Sequence, residues 1–306
     1  MILVRFADLT TVDLVCAHLQ TTPHALRRFL LSPTDYYEKH VIPKRDGGKR
    51  VVYRVGAALK RVHRVLAVSL QPHVCRLGAH VQGFRAKRGI GTNAGRHKGA
   101  EYVVTADIRA FFDHVCFEQV LQVFKRLGCP HHAAILLSRI STHEGRLPQG
   151  GRASPALANL AARGLDKTLL ALAPRAKYSR YADDLTFSGR LEHCPTEVQV
   201  ADALEAHGFS LRPHSYKLQS RTSGQIVTGL SLAGKRPTLS RRKRRDVERT
   251  LYYAAKFGME SHLSKIESPV EPQHALGYLE GFILSTGAFD RPLMQRWLTL
   301  FAKTKL

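Results

Sequence analysis

Acidic residues are scarce in this chain. Twenty-four Asp and Glu stand against 47 Lys and Arg, which leaves a net charge of +23 and a pI near 10.3. That imbalance excludes a neutral surface and implies a polyanionic partner, either nucleic acid or an acidic membrane surface. The bases are spread along the chain instead of forming one tail, so a long basic groove is expected in place of a disordered arm. Cysteine is also thin: Cys16, Cys75, Cys116, Cys129 and Cys194 lie far apart with no C-x-x-C among them. This excludes a disulfide framework and fits reduced thiols in a cytoplasmic protein. Sixteen histidines form no metal-spaced set with these cysteines. No run of 18 apolar residues occurs, so no membrane span is expected. The opening Met1-Ile2-Leu3-Val4-Arg5 lacks the order of a signal peptide.

The length, 306 residues, allows a large core divided into two or three subdomains. Residues 1–39 read as helical, with a break at Thr22-Pro23 and a restart at Ser32-Pro33. Val41 to Tyr53 holds two β-type runs around Gly47-Gly48, which predicts a basic hairpin. Leu59, Val62, Leu66 and Leu70 at helical spacing predict a helix over 57–77. Residues 83–99 read as a Gly-rich loop carrying Arg85, Lys87, Arg88, Arg96 and Lys98. Tyr102 to Ile108 is an apolar strand, and 117–140 look mainly helical. Leu147 to Gly151 is a turn, after which Ser154-Pro155 caps a helix with apolar Leu157, Leu160, Ala161, Leu165, Leu169 and Leu172 on roughly one face. Strands at Tyr178 to Tyr181 and Leu185 to Ser188 form a hairpin. A helix over about 196–207 and strands near 209–212 and 225–232 follow, and the chain is basic and helical from Lys235 onward. Strands alternating with helices, some joined by hairpins, indicate an α+β fold with a helical C-terminal piece.

Within that pattern, Tyr181-Ala182-Asp183-Asp184 puts two adjacent carboxylates at a hairpin tip. Like charges so close are unfavourable unless a cation lies between them or one acid stays protonated. The bland alternative is that Asp-Asp decorates a turn. Asp107 ends another apolar strand. The three carboxylates on neighbouring strands would suffice to hold two Mg²⁺ about 3.5–4 Å apart for in-line displacement at phosphorus.

Asp107 with Phe111-Phe112, then Leu147-Pro148-Gln149-Gly150, Ser154-Pro155 and Tyr181-Ala182-Asp183-Asp184, in this order, resembles a reverse transcriptase over nearly the whole chain. Asn93-Ala94-Gly95-Arg96-His97 and Val227-Thr228-Gly229 are similar to the narrower Asn-Ala-x-x-His and Val-Thr-Gly elements of the retron class. The resemblance implies a right-hand polymerase: N-terminal helices and fingers at 1–98, a palm with an antiparallel sheet at 99–234 with a finger insertion at about 115–147, and a short helical thumb at 235–306. It assigns Asp107, Asp183 and Asp184 to metal binding and catalysis. Phe112 becomes the steric gate against a ribose 2′-OH, although it also reads as a core Phe, and Phe111 is read as core. Lys44, Arg50, Gln149 and Lys217 would contact the incoming nucleotide, Lys217 being displaced from the family's spacing. Asn93, His97, Thr228, Arg241, Arg242, Lys243, Arg244 and Arg245 would bind RNA. For Asn93 and His97 a capping and packing role is the other reading.

The implied function is RNA-templated DNA synthesis, on a dedicated structured RNA, primed by a guanosine 2′-OH. The implied partners are that RNA, its RNA–DNA product, dNTPs and a separate effector protein in antiphage defence, with no membrane. Another bacterial reverse transcriptase, of the intron or abortive-infection kind, would keep the aspartates without the two narrow elements. A non-catalytic RNA-binding scaffold would explain the charge but not three acids amid basic sequence.

Overall fold

The computed structural model describes residues 5–43, 49–268 and 270–305. The chain opens with helices α1 (Val12–Leu19) and α2 (Pro23–Leu31), capped by the Thr11 and Thr22 hydroxyls. The expected helical run to residue 39 stops earlier, because Tyr37 already begins a strand. β1 (Tyr37–Pro43) pairs with β2 (Lys49–Val55) as the predicted hairpin. Helix α3 (Ala57–Cys75) follows. The segment read as a loop over 83–99 contains helix α4 (Ile90–Arg96), whose start is fixed by reciprocal bonds between Gly89 and Thr92.

β3 (Tyr102–Asp107) leads into the short α5 (Phe111–His114), then α6 (Phe117–Arg126) and α7 (His131–Ser141). The single helix expected from Ser154 is two, α8 (Ser154–Ala161) and α9 (Arg163–Leu172), divided at Ala162. The hairpin β4 (Lys177–Tyr181) and β5 (Asp184–Gly189) and the helix α10 (Glu197–Glu205) come next. No strand forms over 209–212, where Leu211 makes only an isolated bridge to Ile108; the strand is β6 (Lys217–Ser220). A small sheet of β7 (Ile226–Val227), β8 (Leu230–Ser231) and β9 (Thr238–Leu239) precedes α11 (Arg241–Phe257). The chain ends in α12 (Met259–Lys265), α13 (Pro272–Thr286) and α14 (Arg291–Phe301).

The main sheet has the order β4-β5-β3-β6, with every pair antiparallel. Its register sets what each face carries, since side chains alternate along a strand. Tyr178, Leu185, Phe187, Val104 and Ala106 share one face and enter a large core with residues of α3, α6, α8, α9 and α10. The opposite face is polar: Asp107, Asp184, Thr105, Thr186, Ser179, Ser188, Lys217 and Gln219 line up on it. A second core begins against that face, where Val103, Ala94, Val227 and Leu230 join Leu251, Ile283 and Trp297 of the C-terminal helices. The architecture is α+β, as the sequence pattern predicts. Among the described residues, no helix is long and apolar enough to cross a membrane.

Candidate active site

Tyr181 pairs with Asp184, so Ala182 and Asp183 alone make the turn between β4 and β5. Ala182 takes φ 57°, a region usually left to Gly or Asn in so tight a hairpin. The Asp183 carbonyl accepts from the Ile108 N–H at 2.9 Å, which pins the turn to the end of β3. Asp107 lies opposite Asp184 in the β3–β5 register. Three carboxylates therefore meet at one end of one sheet.

Burial pushes the Asp184 carboxyl up to about 7, with the neighbouring charges of Asp183 and Asp107 adding to the effect. Burial also raises Asp183, against the opposing pull of Arg50 and Arg212. Arg212 approaches Asp107 Oδ2 at 3.5 Å. Among the described residues no three such groups are drawn together as a formed metal centre, and Asp107 leans toward Arg212 instead. The donor set nonetheless fits a hard divalent cation: oxygen ligands only, mostly buried, with more negative charge than Arg212 offsets.

Of the residues expected around the nucleotide, Arg50 and Lys217 are tied to this cluster. Lys44 falls outside the described residues. Arg50 is exposed on β2 opposite Ile42, and its charge is felt at Asp183. The Gln149 carbonyl accepts from the Tyr53 N–H at 2.7 Å. Gly150 has φ 114°, and a Cβ there would run into the Tyr53 carbonyl, so only Gly lets the loop lie against β2. Phe111 is buried in the core against Phe209, as expected of it. Phe112 is only partly buried, its ring 6.0 Å from Phe84 and 5.7 Å from Phe111.

Lys217 stands opposite Thr105 on the polar face. With Asp184, Thr186, Gln219, Thr228 and Gly229 it lines a cavity of about 320 Å³, and with Asp107, Asp184, Arg212 and Ser215 a second of the same size. A turn over 212–215, with His214 at φ 57° and the Ser215 hydroxyl bonded to the Arg212 carbonyl at 2.7 Å, precedes Lys217.

Asn93 and His97 require a correction. Both side chains are fully buried. Ser179 Oγ donates to Asn93 Oδ1 at 2.6 Å and so accepts from His97 Nε2 at 2.7 Å, while the Ser188 hydroxyl meets His97 Nδ1 at 2.8 Å. Burial, with Arg96 and Lys177 nearby, pushes the His97 imidazole down to about 3, so the ring is neutral. With every polar atom turned to protein partners, neither residue presents an edge to RNA; together they fix α4 on β4 and β5. Asn93 Nδ2 also reaches Thr228 Oγ1 at 3.5 Å, and Thr228 donates to the Ile90 carbonyl at 3.4 Å. The two narrow sequence elements are thus one contact. His97→Ala is expected to destabilise the fold by about 2 kcal/mol or more, because a buried ring is lost, Ser188 loses its hydrogen-bond partner and Ser179 one of two. Thermal unfolding measures it.

The five bases at 241–245 divide. Arg241, Arg242 and Arg245 are exposed. Lys243 lies over the Phe282 ring at 5.2 Å and Arg244 approaches Asp290 at 4.0 Å, both half-buried in the C-terminal bundle. All five sit at the positive end of α11, where added cations are unfavourable and an anion is favourable. The sequence reading missed Arg180, Asp166 and Asn159, which are buried beneath the aspartate turn. The available signal was a charge on the apolar face of a strand, Arg180 standing between Tyr178 and the turn.

The arrangement sets paired and opposed aspartates on antiparallel strands, with the charge of Arg50 on the β1–β2 hairpin reaching Asp183. Residues 42–222, more than half of the chain, match the reverse transcriptase (RNA-dependent DNA polymerase) family, and the chain belongs to it. It is similar to the retron Mx162 reverse transcriptase of Myxococcus xanthus, at 35% identity over 71% of this chain and 51% of the relative. The retron Mx65 reverse transcriptase of the same organism shares 32% over 64% of this chain and 51% of the relative. The retron Ec86 reverse transcriptase of Escherichia coli shares 26% over 90% of this chain and 84% of that protein. The chain thus spans about half the length of the two Myxococcus relatives.

Proposed function

We propose that this chain is the RNA-directed DNA polymerase of a retron, copying a dedicated structured RNA from a guanosine 2′-OH. The observation that carries the proposal is the in-register meeting of Asp107 and Asp184 with Asp183 in the adjoining turn. The likeness to retron enzymes supports the narrower class. Asp107, Asp183 and Asp184 would hold Mg²⁺, two ions on this reading, and the bound metal would supply the positive charge that an in-line displacement at phosphorus requires.

The chain's own residues orient the reactants. Arg50 on the hairpin would meet the triphosphate, a role the family resemblance also gives to Lys44; Gln149 would offer its amide to the nucleotide, and Lys217 would serve as a proton donor. Residues 1–98 act as N-terminal helices and fingers, 99–234 as palm with the finger insertion at about 115–147, and 235–306 as thumb. Thr228, Arg241, Arg242 and Arg245 contact RNA. The protein works in the bacterial cytoplasm, in antiphage defence, with a separate effector protein.

Phe112 is the steric gate, its partly exposed ring rejecting a 2′-OH. Phe112→Ala is expected to lower the ratio of dNTP to rNTP incorporation by about tenfold or more, since a few kcal/mol of overlap is removed. Single-turnover incorporation measures it; an unchanged ratio returns Phe112 to the core. The whole proposal is tested by sequencing the nucleic acid that co-purifies with the protein. One structured RNA joined through a 2′–5′ bond to complementary DNA is expected. RNA with no attached DNA would favour a scaffold instead.

A further inference from the structure

The aspartate turn rests on a charged pair that lies wholly inside the protein. Arg180 is 0% exposed and Asp166, on α9, 1%. Arg180 Nε and Nη2 donate to the two Asp166 oxygens at 2.8 and 2.7 Å, a planar two-point contact. The Tyr178 hydroxyl adds a third bond to Asp166 at 2.9 Å. The remaining terminal nitrogen, Nη1, points at the turn: it donates to Asn159 Oδ1 at 2.9 Å and to the Ala182 carbonyl at 3.2 Å. Asn159 in turn donates to the Gly83 carbonyl at 2.9 Å. A Cβ at Gly83 would collide with the Ala182 backbone nitrogen, so residues 80–83 lie flush against the turn. The Arg180 backbone is bonded to the same segment, donating to His80 and accepting from Gln82.

Stability alone does not account for this arrangement. A buried ion pair is often replaceable by apolar side chains without loss of stability. What apolar side chains cannot do is hold a carbonyl in place. Ala182 adopts φ 57°, which a residue with a Cβ disfavours. Its carbonyl is the last peptide group before Asp183. Side chains that orient metal-binding groups from behind commonly govern how well those groups bind.

We propose that Arg180 is a positioning residue: fixed by Asp166 and Asn159, its guanidinium holds the Ala182 carbonyl and thereby sets where the Asp183 carboxylate stands to receive a divalent cation. The proposal rests on the assignment of Asp183 to metal binding under Proposed function. Arg180→Lys keeps the charge facing Asp166 but cannot reach all the acceptors at once. Asn159→Ala leaves the ion pair intact and removes one anchor, so it tests the same idea at less risk to folding.

Both variants are made in the full chain, alongside Asp183→Asn. Thermal unfolding, RNA binding, Mn²⁺ titration by calorimetry without RNA or nucleotide, and single-turnover synthesis against metal concentration are measured. Arg180→Lys is expected to weaken Mn²⁺ binding by about 10- to 100-fold and to raise the half-saturating metal concentration for synthesis by a similar factor. Asn159→Ala should act in the same direction to a smaller degree, and RNA affinity should be unchanged in both. Folded variants with wild-type Mn²⁺ affinity would overturn the proposal. So would a rate loss that tracks only the folded fraction, or failure of both variants to fold, each of which marks a structural role. If Asp183→Asn itself retains Mn²⁺ binding and synthesis, the assignment of the site fails instead, whatever Arg180 does.

Discussion

Asp183→Asn or Asp184→Asn is expected to lower the rate of DNA synthesis by at least about 10²–10³ while RNA affinity stays close to that of the unaltered protein. A carboxylate aimed at the reacting phosphorus through a cation stabilises charge that exists only in the transition state, and one lost contact of this kind is worth about that factor. The amide keeps the shape of the side chain, so the turn and the basic surface remain. Polymerisation above about a tenth of the wild-type rate in either variant would contradict the assignment.

The same cluster predicts a pH dependence. Burial raises the Asp184 carboxyl to about 7, well above an ordinary aspartate, so the metal-free folded protein holds a proton there that the unfolded chain has released. The folded state then binds more protons between about pH 4 and 7, and its stability falls as pH rises through that window. A divalent cation displaces the proton, so metal affinity should rise with pH up to about 7 and then level off. Calorimetry at pH 6 and 8, with the proton release read from the buffer dependence, measures both.

The second large effect concerns salt. A protein of net charge +23 that neutralises six phosphates loses about 10³ in RNA affinity between 50 and 200 mM salt, because condensed counterions are released on binding. Replacing Arg241, Arg242 and Arg245 together by Ser should reduce the slope of log affinity against log salt by about one unit for each phosphate contact removed. Lys243 and Arg244 are left in place, since they pack on Phe282 and Asp290. A triple variant with unchanged slope and affinity would mark this helix start as an ordinary solvated surface.

The features legible in the sequence are those with a local cause. The alternation of β3 puts Asp107 on the face opposite Val104 and Ala106, and aromatic and β-branched residues on both sides of Ala182-Asp183 announce the hairpin. α4 was hidden because its glycines suggest a loop, whereas Thr92 bonded back to Gly89 starts a helix. The break at Ala162 has no local signal, since alanine favours helices and only packing interrupts one there. The strand expected over 209–212 forms instead at Lys217–Ser220, after a turn in which His214 adopts a positive φ that its residue type does not advertise. The direction in which Asn93 and His97 point is likewise set by Ser179 and Ser188, more than 80 residues away.

The bond between Asn93 and Thr228 spans 135 residues of sequence. Ala94 and Val227, beside them, belong to one apolar core together with the C-terminal helices. A chimera that took the C-terminal bundle from one relative and the rest from another would therefore cut through a single packed unit unless α4 travelled with it. Exchange of RNA preference between such enzymes is expected to need both segments as a matched pair, and grafts of residues after 225 alone to give unstable hybrids.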